Sequence, residues 1–321
     1  MLNTSILISG TTGFVGKHLK AYFQAKFPNI QILELNRSKK ESNQTLIWDE
    51  IKLGNLPEVS SYVHLAGMAH DTKNTTNEEA YFEINTNLTT LLFERFLASN
   101  AKQFIYISSV KAAADHLESV LTEACIPNPQ TAYGRSKLAA EHSIERLYAD
   151  YLSAHPTTEK KYYILRPCMI HGPGNKGNLN LLVNFTNKGI PYPLAAFKNK
   201  RSYLSVFNMV FLIAKILERN IPSGIYQLAD NESISTNDLI DLISETNHKK
   251  IYKLNIPQKG VRFLFHLFDY MHFPIGTEQL DKLVESYQVS NHKILQALGV
   301  QLPIATREGL KITINSFKKL P

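Results

Sequence analysis

Tyr133 and Lys137 stand four residues apart in Tyr133-Gly134-Arg135-Ser136-Lys137, a spacing that puts both on one face of a helix. A phenol keeps its proton at neutral pH, with a pKa of about 10, and a neighbouring ammonium favours the phenolate. The pair therefore suits proton exchange with a substrate hydroxyl or carbonyl group. By themselves, a tyrosine and a lysine four apart are usually a plain helix-surface pair. Ser108-Ser109 adds weight, because these serines close the apolar run Phe104-Ile105-Tyr106-Ile107. The C-terminal end of a buried strand is where ligands bind in open α/β sheets, and a serine there can hydrogen-bond the reacting oxygen.

A second constellation lies near the N-terminus. Ser9-Gly10-Thr11-Thr12-Gly13-Phe14-Val15-Gly16 follows the apolar run Ser5 to Ser9 and opens an amphipathic helical pattern. Glycine suits a tight strand-to-helix turn and lets backbone approach a pyrophosphate, which the helix N-terminus then holds. A turn without a ligand is the plainer alternative. The position between strand and helix favours a dinucleotide, with Gly10, Thr12, Gly13, Phe14, Val15 and Gly16 as contacts. An oxidised nicotinamide ring would join Lys137 in lowering the Tyr133 pKa, and Lys137 can also hold the nicotinamide ribose.

The second strand runs out at Asn36-Arg37-Ser38, followed by Lys39 and Lys40. An acid there would bond the ribose hydroxyls and repel a 2′-phosphate; Asn36 does not repel it, and Arg37 can grip it. This tilts the reading to NADP over NAD, the alternative being a surface arginine beside an NAD ribose. Asp49, read as ending the third strand, is an adenine contact or an ordinary turn aspartate.

These residues need a scaffold. Short apolar runs at 5–9, 30–35, 45–48, 61–66, 103–108 and 162–167 alternate with helical patterns at 14–26, 77–98 and 131–150. That rhythm predicts an α/β fold, a Rossmann-type doubly wound parallel sheet, with a smaller irregular C-terminal substrate lobe. Strands at 203–207 and 224–228 and a helix at 235–247, N-capped by Ser235, follow. Residues 1–170 read as the cofactor-binding domain, with 203–230 returning to it, and residues 171–202 and 231–321 as the substrate lobe.

Composition narrows the class. A net charge of +7 suits anionic ligands, but the basic residues are scattered, so nucleic acid is not expected as a partner. Cys125 and Cys168 have neither metal-ligand nor redox spacing, which points to a reducing cytoplasm and no metal. No apolar run spans a bilayer and no secretory signal is visible. Phe263, Leu264, Phe265, Leu267, Phe268 and Met271 are read as packing the C-terminal lobe, in preference to an interfacial membrane helix.

With these residues in view, the chain resembles the extended short-chain dehydrogenase/reductase family, in its NAD-dependent epimerase/dehydratase branch. The matching stretches are Gly10 to Gly16, Val63-His64-Leu65-Ala66-Gly67, Asn85, Phe104 to Ser109, Tyr133 to Lys137, Leu165-Arg166-Pro167 and His171-Gly172-Pro173-Gly174. The resemblance implies a catalytic triad of Ser109, Tyr133 and Lys137. It implies cofactor contacts at Leu65, Ala66, Gly67 and Pro167 besides those above, and substrate contacts at Lys111, Asn178, Tyr192 and Arg201. Asn178 and Arg201 fall where the substrate diphosphate is held, and Pro191 to Leu194 where uracil is met. His171 replaces a common tyrosine and reads as a packed histidine without a role.

Dehydratases of this family carry acids after the serine. Val110 and Lys111 stand there, which disfavours dehydration and leaves hydride and proton exchange at one carbon. The resemblance points to C4 of a UDP-linked (N-acetyl)hexose in surface polysaccharide precursor synthesis. Asn36-Arg37 tilts this towards a 4-keto-sugar reductase; the alternatives are a 4-epimerase with retained NAD and a non-catalytic NAD(P)-sensing protein, which would typically lose the tyrosine or lysine. A homodimer is the assembly considered.

Overall fold

The computed structural model describes residues 5–37, 44–54, 58–68, 77–175, 178–189, 191–271 and 276–317. Its centre is a seven-stranded sheet, ordered β3-β2-β1-β4-β5-β6-β9 and parallel throughout. The strands are β1 (Ser5–Ser9), β2 (Gln31–Asn36), β3 (Thr45–Ile47), β4 (Ser61–His64), β5 (Gln103–Ile107), β6 (Lys161–Pro167) and β9 (Gly224–Leu228). From β1 the chain steps outward to β2 and β3, then crosses to β4 on the other side. The crevice between β1 and β4 is therefore the topological switch point, where open α/β sheets bind ligands.

Both faces are covered, which is why the strands read as unbroken apolar runs. Ile6, Ile8, Val63, Ile105 and Leu165 turn to one face, under α1 (Phe14–Lys26), α7 (Val206–Glu218) and α11 (His292–Leu298). Leu7, Tyr62, Phe104, Tyr106 and Ile164 turn to the other, under α2 (Trp48–Lys52), α4 (Leu88–Ala98) and α5 (Ala132–Ala154). Lys160 closes the far end of α4, donating to the carbonyls of Phe96, Ser99 and Ala101 at 3.1, 2.6 and 2.7 Å. A lysine there satisfies carbonyls that the helix end leaves without partners.

A smaller three-stranded sheet, β10 (Ser233–Ile234), β8 (Arg201–Ser205) and β7 (Met169–His171), carries the rest with α6 (Asn178–Asn187), α8 (Thr236–Asn247), α9 (Gln258–Tyr270), α10 (Thr277–Val284) and α12 (Thr306–Phe317). Among the described residues, no helix is long and apolar enough to cross a membrane.

Several elements depart from the sequence pattern. The helix expected over 77–98 is α3 (Glu78–Tyr81), a π-helical turn at Phe82–Asn87, and α4. β8 ends two residues early because Ser205 caps α7, its hydroxyl accepting from the Phe207 amide at 3.3 Å. Asp49 does not end a strand. β3 stops at Ile47, and Asp49 sits in the first turn of α2, 3.5 Å from Lys52. The cluster read as packing the C-terminal lobe does so only in part. Phe265 packs against the protein, whereas Phe263, Leu264, Leu267 and Met271 are exposed; the Phe268 side chain lies outside the described residues.

Candidate functional site

The glycine-rich turn sits in the switch-point crevice. Gly10 has φ +75°, and a Cβ there would lie 2.8 Å from the Ala66 nitrogen and 3.0 Å from the Leu65 carbonyl carbon. Only glycine fits that conformation and that approach together. The helix that follows has no side-chain cap at Gly13 and no acid in its first turn, so its leading amides face the crevice as a ready anion site. These features fit a dinucleotide pyrophosphate. Thr12 is exposed, Val15 packs into the core, and Phe14 lies against Gly172.

A directed hydrogen-bond chain ties the turn to its neighbours. The Ala66 amide donates to Ser9 Oγ at 3.1 Å, and Ser9 meets His64 Nδ1 at 2.6 Å. His64 Nε2 meets Thr89 Oγ1 at 2.9 Å, and Thr89 donates to the Asn85 carbonyl at 2.7 Å. With Thr89's proton committed to Asn85, its oxygen must accept, so His64 carries its proton on Nε2 and accepts from Ser9 on Nδ1. Burial, with the Lys137 charge behind it, lowers the His64 pKa to about 3, so the ring is neutral.

At the end of β2, Thr11 donates to Glu34 at 2.5 Å and lies 3.5 Å from Asn36 Oδ1. Burial would raise the Glu34 pKa, but hydrogen bonds from Lys20 and Thr11 reverse this and hold it low. A charged carboxylate therefore stands two residues before Asn36, on the same side of the strand. Arg37 is exposed; Ser38, Lys39 and Lys40 lie outside the described residues.

The structure brings Ser109, Tyr133 and Lys137 together. Ser109 caps a 3-10 turn at Val110–Ala112 just beyond β5, accepting from the Lys111 amide at 3.2 Å. Its hydroxyl lies close enough to Tyr133 to lower the phenol's pKa. Tyr81 stands edge-on to the Tyr133 ring, with centroids 6.1 Å apart. One turn along α5, Lys137 donates to the Ile107 carbonyl at 3.0 Å over the Tyr106 ring. A Cβ on Gly67 would lie 3.0 Å from Lys137 Nζ, so Leu65 to Gly67 form the opposite wall. Pro167 ends β6, buried at the same sheet edge.

The electrostatics differ from the sequence expectation. Burial raises the Tyr133 phenol above its ordinary value, more than Ser109 lowers it, and Tyr81 raises it further. The protein's own groups do not draw the phenol towards neutrality. Lys137 is pushed down to about 8 by burial, partly offset by Glu141.

Several supporting residues were given no role from sequence, although Asn85, Ser108 and Arg166 lie in the matching stretches. Asn85 spans the crevice, accepting from the Met68 amide at 2.7 Å and donating to Ser136 Oγ at 3.0 Å. Asp115 holds the approach to α5, accepting from the Gln130 and Thr131 amides at 2.6 and 3.2 Å. Glu141 and Arg166 form a buried two-pronged pair at 3.0 Å and shorter, and Ser108 donates to the same carboxylate. Two signals pointed there: Glu141 lies four residues beyond Lys137, and Arg166 is a charge in an apolar strand, where burial demands a partner.

The substrate candidates are less uniform. Lys111 donates to the Asp115 carbonyl at 2.7 Å and lies 4.5 Å from the centre of the Tyr287 ring. Arg201 opens β8, half-buried, beside Tyr287. The Tyr192 side chain is buried among Leu194, Phe197, Ile240, Val261 and Leu280, so its ring offers no open face. Asn178 begins α6, and its side chain lies outside the described residues. His171 is buried, with Nδ1 2.9 Å from Thr313 Oγ1 and Nε2 3.6 Å from Asp230.

Comparison with known proteins agrees with this geometry. The family described as "NAD dependent epimerase/dehydratase family" matches residues 6–229. A UDP-glucose 4-epimerase of Vibrio cholerae is 28% identical over 329 aligned positions, covering 98% of this chain and 95% of that protein. An N-acetyl-α-D-glucosaminyl-diphospho-ditrans,octacis-undecaprenol 4-epimerase of Escherichia coli O157:H7 is 25% identical over 98% of this chain and 95% of its own. The solved UDP-N-acetylglucosamine 4-epimerase of Bacillus cereus superposes with a TM-score of 0.76 at 19% identity, covering 99% of this chain and all of that one. The crevice at the switch point, the serine–tyrosine contact and the match over residues 6–229 lead to one conclusion: this chain is an enzyme of the NAD-dependent epimerase/dehydratase family.

Proposed function

We infer that this enzyme is a C4 epimerase of a UDP-linked hexose or N-acetylhexosamine that works with retained NAD. The observation that carries the reading is the approach of Ser109 to Tyr133, with Lys137 one turn along and a buried, apolar Val110 beside the serine. In this reading Tyr133 takes the proton of the C4 hydroxyl and later returns it, while Ser109 orients the C4 oxygen. Lys137, one turn along from Tyr133, holds the nicotinamide ribose. The bound nicotinamide supplies the hydride acceptor and, when oxidised, the positive charge that the protein alone does not give Tyr133.

Dehydration would need an acid beside Ser109, and Val110 points into the core instead. Gly10 to Gly16, Leu65 to Gly67 and Pro167 hold the dinucleotide. Arg201, Lys111 and Asn178, with the backbone around Tyr192, hold the sugar nucleotide, within a lobe of residues 171–202 and 231–321. Whole-chain similarity to the Vibrio and Escherichia 4-epimerases supports epimerisation. Glu34 supports NAD, because a 2′-phosphate at the end of β2 would meet its charge and a ribose hydroxyl would not.

A second reading, a 4-keto-sugar reductase using NADPH, rests on Asn36 and the exposed Arg37 at the same strand end. Stoichiometry separates the two. Purified enzyme should interconvert the gluco and galacto forms of a UDP-N-acetylhexosamine or UDP-hexose without added cofactor and release NAD on denaturation. Consumption of one NADPH per 4-keto sugar, with no interconversion, would sink the epimerase.

A further inference from the structure

Eight of the thirteen large apolar side chains exposed among the described residues fall between 252 and 271. They lie in one stretch of chain, the extended segment before α9 and α9 itself. In the extended segment before α9, Tyr252, Leu254 and Ile256 are 61%, 43% and 38% exposed and alternate with Lys253 and Asn255, which bridge to Tyr192 and Leu194. Alternation puts all three on the outer side. Ile256 leads onto the helix, its Cγ2 lying 3.9 Å from where a Cβ on Gly260 would be.

On α9, Phe263, Leu264, Leu267, Tyr270 and Met271, the last just past the helix end, are 73%, 45%, 42%, 83% and 56% exposed. At 3.6 residues per turn they share an arc of about 120°. Val261 and Phe265 face the protein on a separate arc, and Lys259, Arg262, His266 and Asp269 occupy the remainder. The helix is thus apolar on two sides, only one of which the protein covers. A soluble surface helix normally needs only the covered side.

The charge around this surface points to an occupant. Residues 249–271 contain four lysines and one arginine against one aspartate. Asp241 neutralises Lys253 at 2.7 Å and Asp281 neutralises Arg262 at 2.9 Å. Lys250, over the Tyr252 ring at 5.1 Å, and Lys259, at the start of α9, remain as exposed positive charge beside the apolar face, on a chain of net charge +7. Aromatic and leucine side chains on one side, flanked by lysines, match an anionic lipid interface, where rings enter the headgroup region and ammonium groups meet phosphate.

We propose that residues 252–271 dock this enzyme on the surface of a membrane containing anionic phospholipid, α9 lying in the interface plane. This stands apart from the reaction assigned above: Ser109, Tyr133 and Lys137 lie elsewhere, and the surface meets the substrate lobe only where Tyr252 and Leu254 pair with the Tyr192 backbone.

The test is sedimentation of the purified full-length chain with vesicles of phosphatidylcholine alone or mixed with phosphatidylglycerol. Wild-type protein should pellet with the mixed vesicles and stay in solution with phosphatidylcholine alone. Phe263→Glu/Leu267→Glu, at exposed positions, should weaken vesicle binding about tenfold or more while retaining the wild-type melting profile. Lys250→Glu/Lys259→Glu leaves the apolar face intact and should weaken binding to the anionic vesicles. Wild-type protein that ignores anionic vesicles would overturn the proposal, as would equal binding by wild type and both variants. A wild-type dimer that Phe263→Glu/Leu267→Glu converts to monomer would overturn it in favour of a second copy on this face.

Discussion

Tyr133 sits in a setting that keeps its proton on. Burial outweighs the effect of Ser109, so the phenol waits as an acid until positive charge arrives beside it. Lys137 is tuned the opposite way: with a pKa of about 8 it is mostly ammonium at neutral pH and loses its charge as pH rises through that value. Tyr133→Phe removes the transferable proton and leaves the ring, so turnover should fall by about 100-fold or more with little change in cofactor affinity. Near-normal turnover in that variant would take Tyr133 out of the mechanism. The same Lys137 shift bears on stability. Its folded pKa lies below the ordinary 10.5, so between about pH 8 and 10.5 the unfolded chain holds a proton that the folded one has released. Stability contributed at this site therefore rises with pH through that window, and below it the cost of the buried charge is fully present. Lys160, lowered to about 8 as well, acts in the same direction.

Three elements meet beneath the site, and Glu141 with Arg166 joins them. Glu141 belongs to α5, Arg166 to β6, and Ser108 to the end of β5. Removing one partner of a buried pair leaves the other charge without compensation, at about 3–5 kcal/mol. Glu141→Gln should show that loss in urea denaturation. In protein that still folds, it should also move the Lys137 titration to lower pH, because the lost negative charge was opposing burial there. An unmoved alkaline limb of kcat/KM would mean that the pair holds the fold together without tuning Lys137.

The strands and main helices were legible in sequence because strands buried on both faces must be apolar throughout, as Phe104 to Ile107 are. Ser109, Tyr133 and Lys137 were legible because local spacing and a strand end announce them. The links among them were not, because Asn85 to Met68, Asp115 to Gln130 and Glu34 to Thr11 are contacts made only when distant segments meet. The exposed side of α9 was misread for a related reason. Periodicity shows that a helix has an apolar face but not which part of that face the protein covers.

Across the whole molecule, Tyr287 couples the two sheets. Its hydroxyl donates to the Ala114 carbonyl at 2.7 Å and reaches that of Val110 at 3.2 Å, while its backbone pairs with Lys200 and Ser202 beside Arg201. The turn that carries Ser109 is thereby fastened to the strand that opens with Arg201. Tyr287→Phe should cost about 1–3 kcal/mol through the stranded Ala114 carbonyl. It should raise KM for the sugar nucleotide more than it changes NAD affinity, since the loosened contact lies on the substrate side. Equal losses for both ligands would mean that the phenol supports the fold at large.

The π-helical turn at Phe82–Asn87 governs angular phase. One residue turns a helix by about 100° and lengthens it by about 1.5 Å. The wide turn takes in an extra residue without carrying that rotation onward, so α3 and α4 keep their own facings while Asn85 is pushed inward to reach Met68 and Ser136. Excising one residue of this turn would let a regular helix close with α3 and α4 still in phase, at the expense of the wide turn that turns Asn85 inward. Tyr81 would keep its place at the edge of the Tyr133 ring, whereas Asn85 would draw back from Met68 and Ser136. A one-residue loss between Tyr81 and Leu88 is therefore felt at Asn85 in the crevice and not in the packing of α3 or α4.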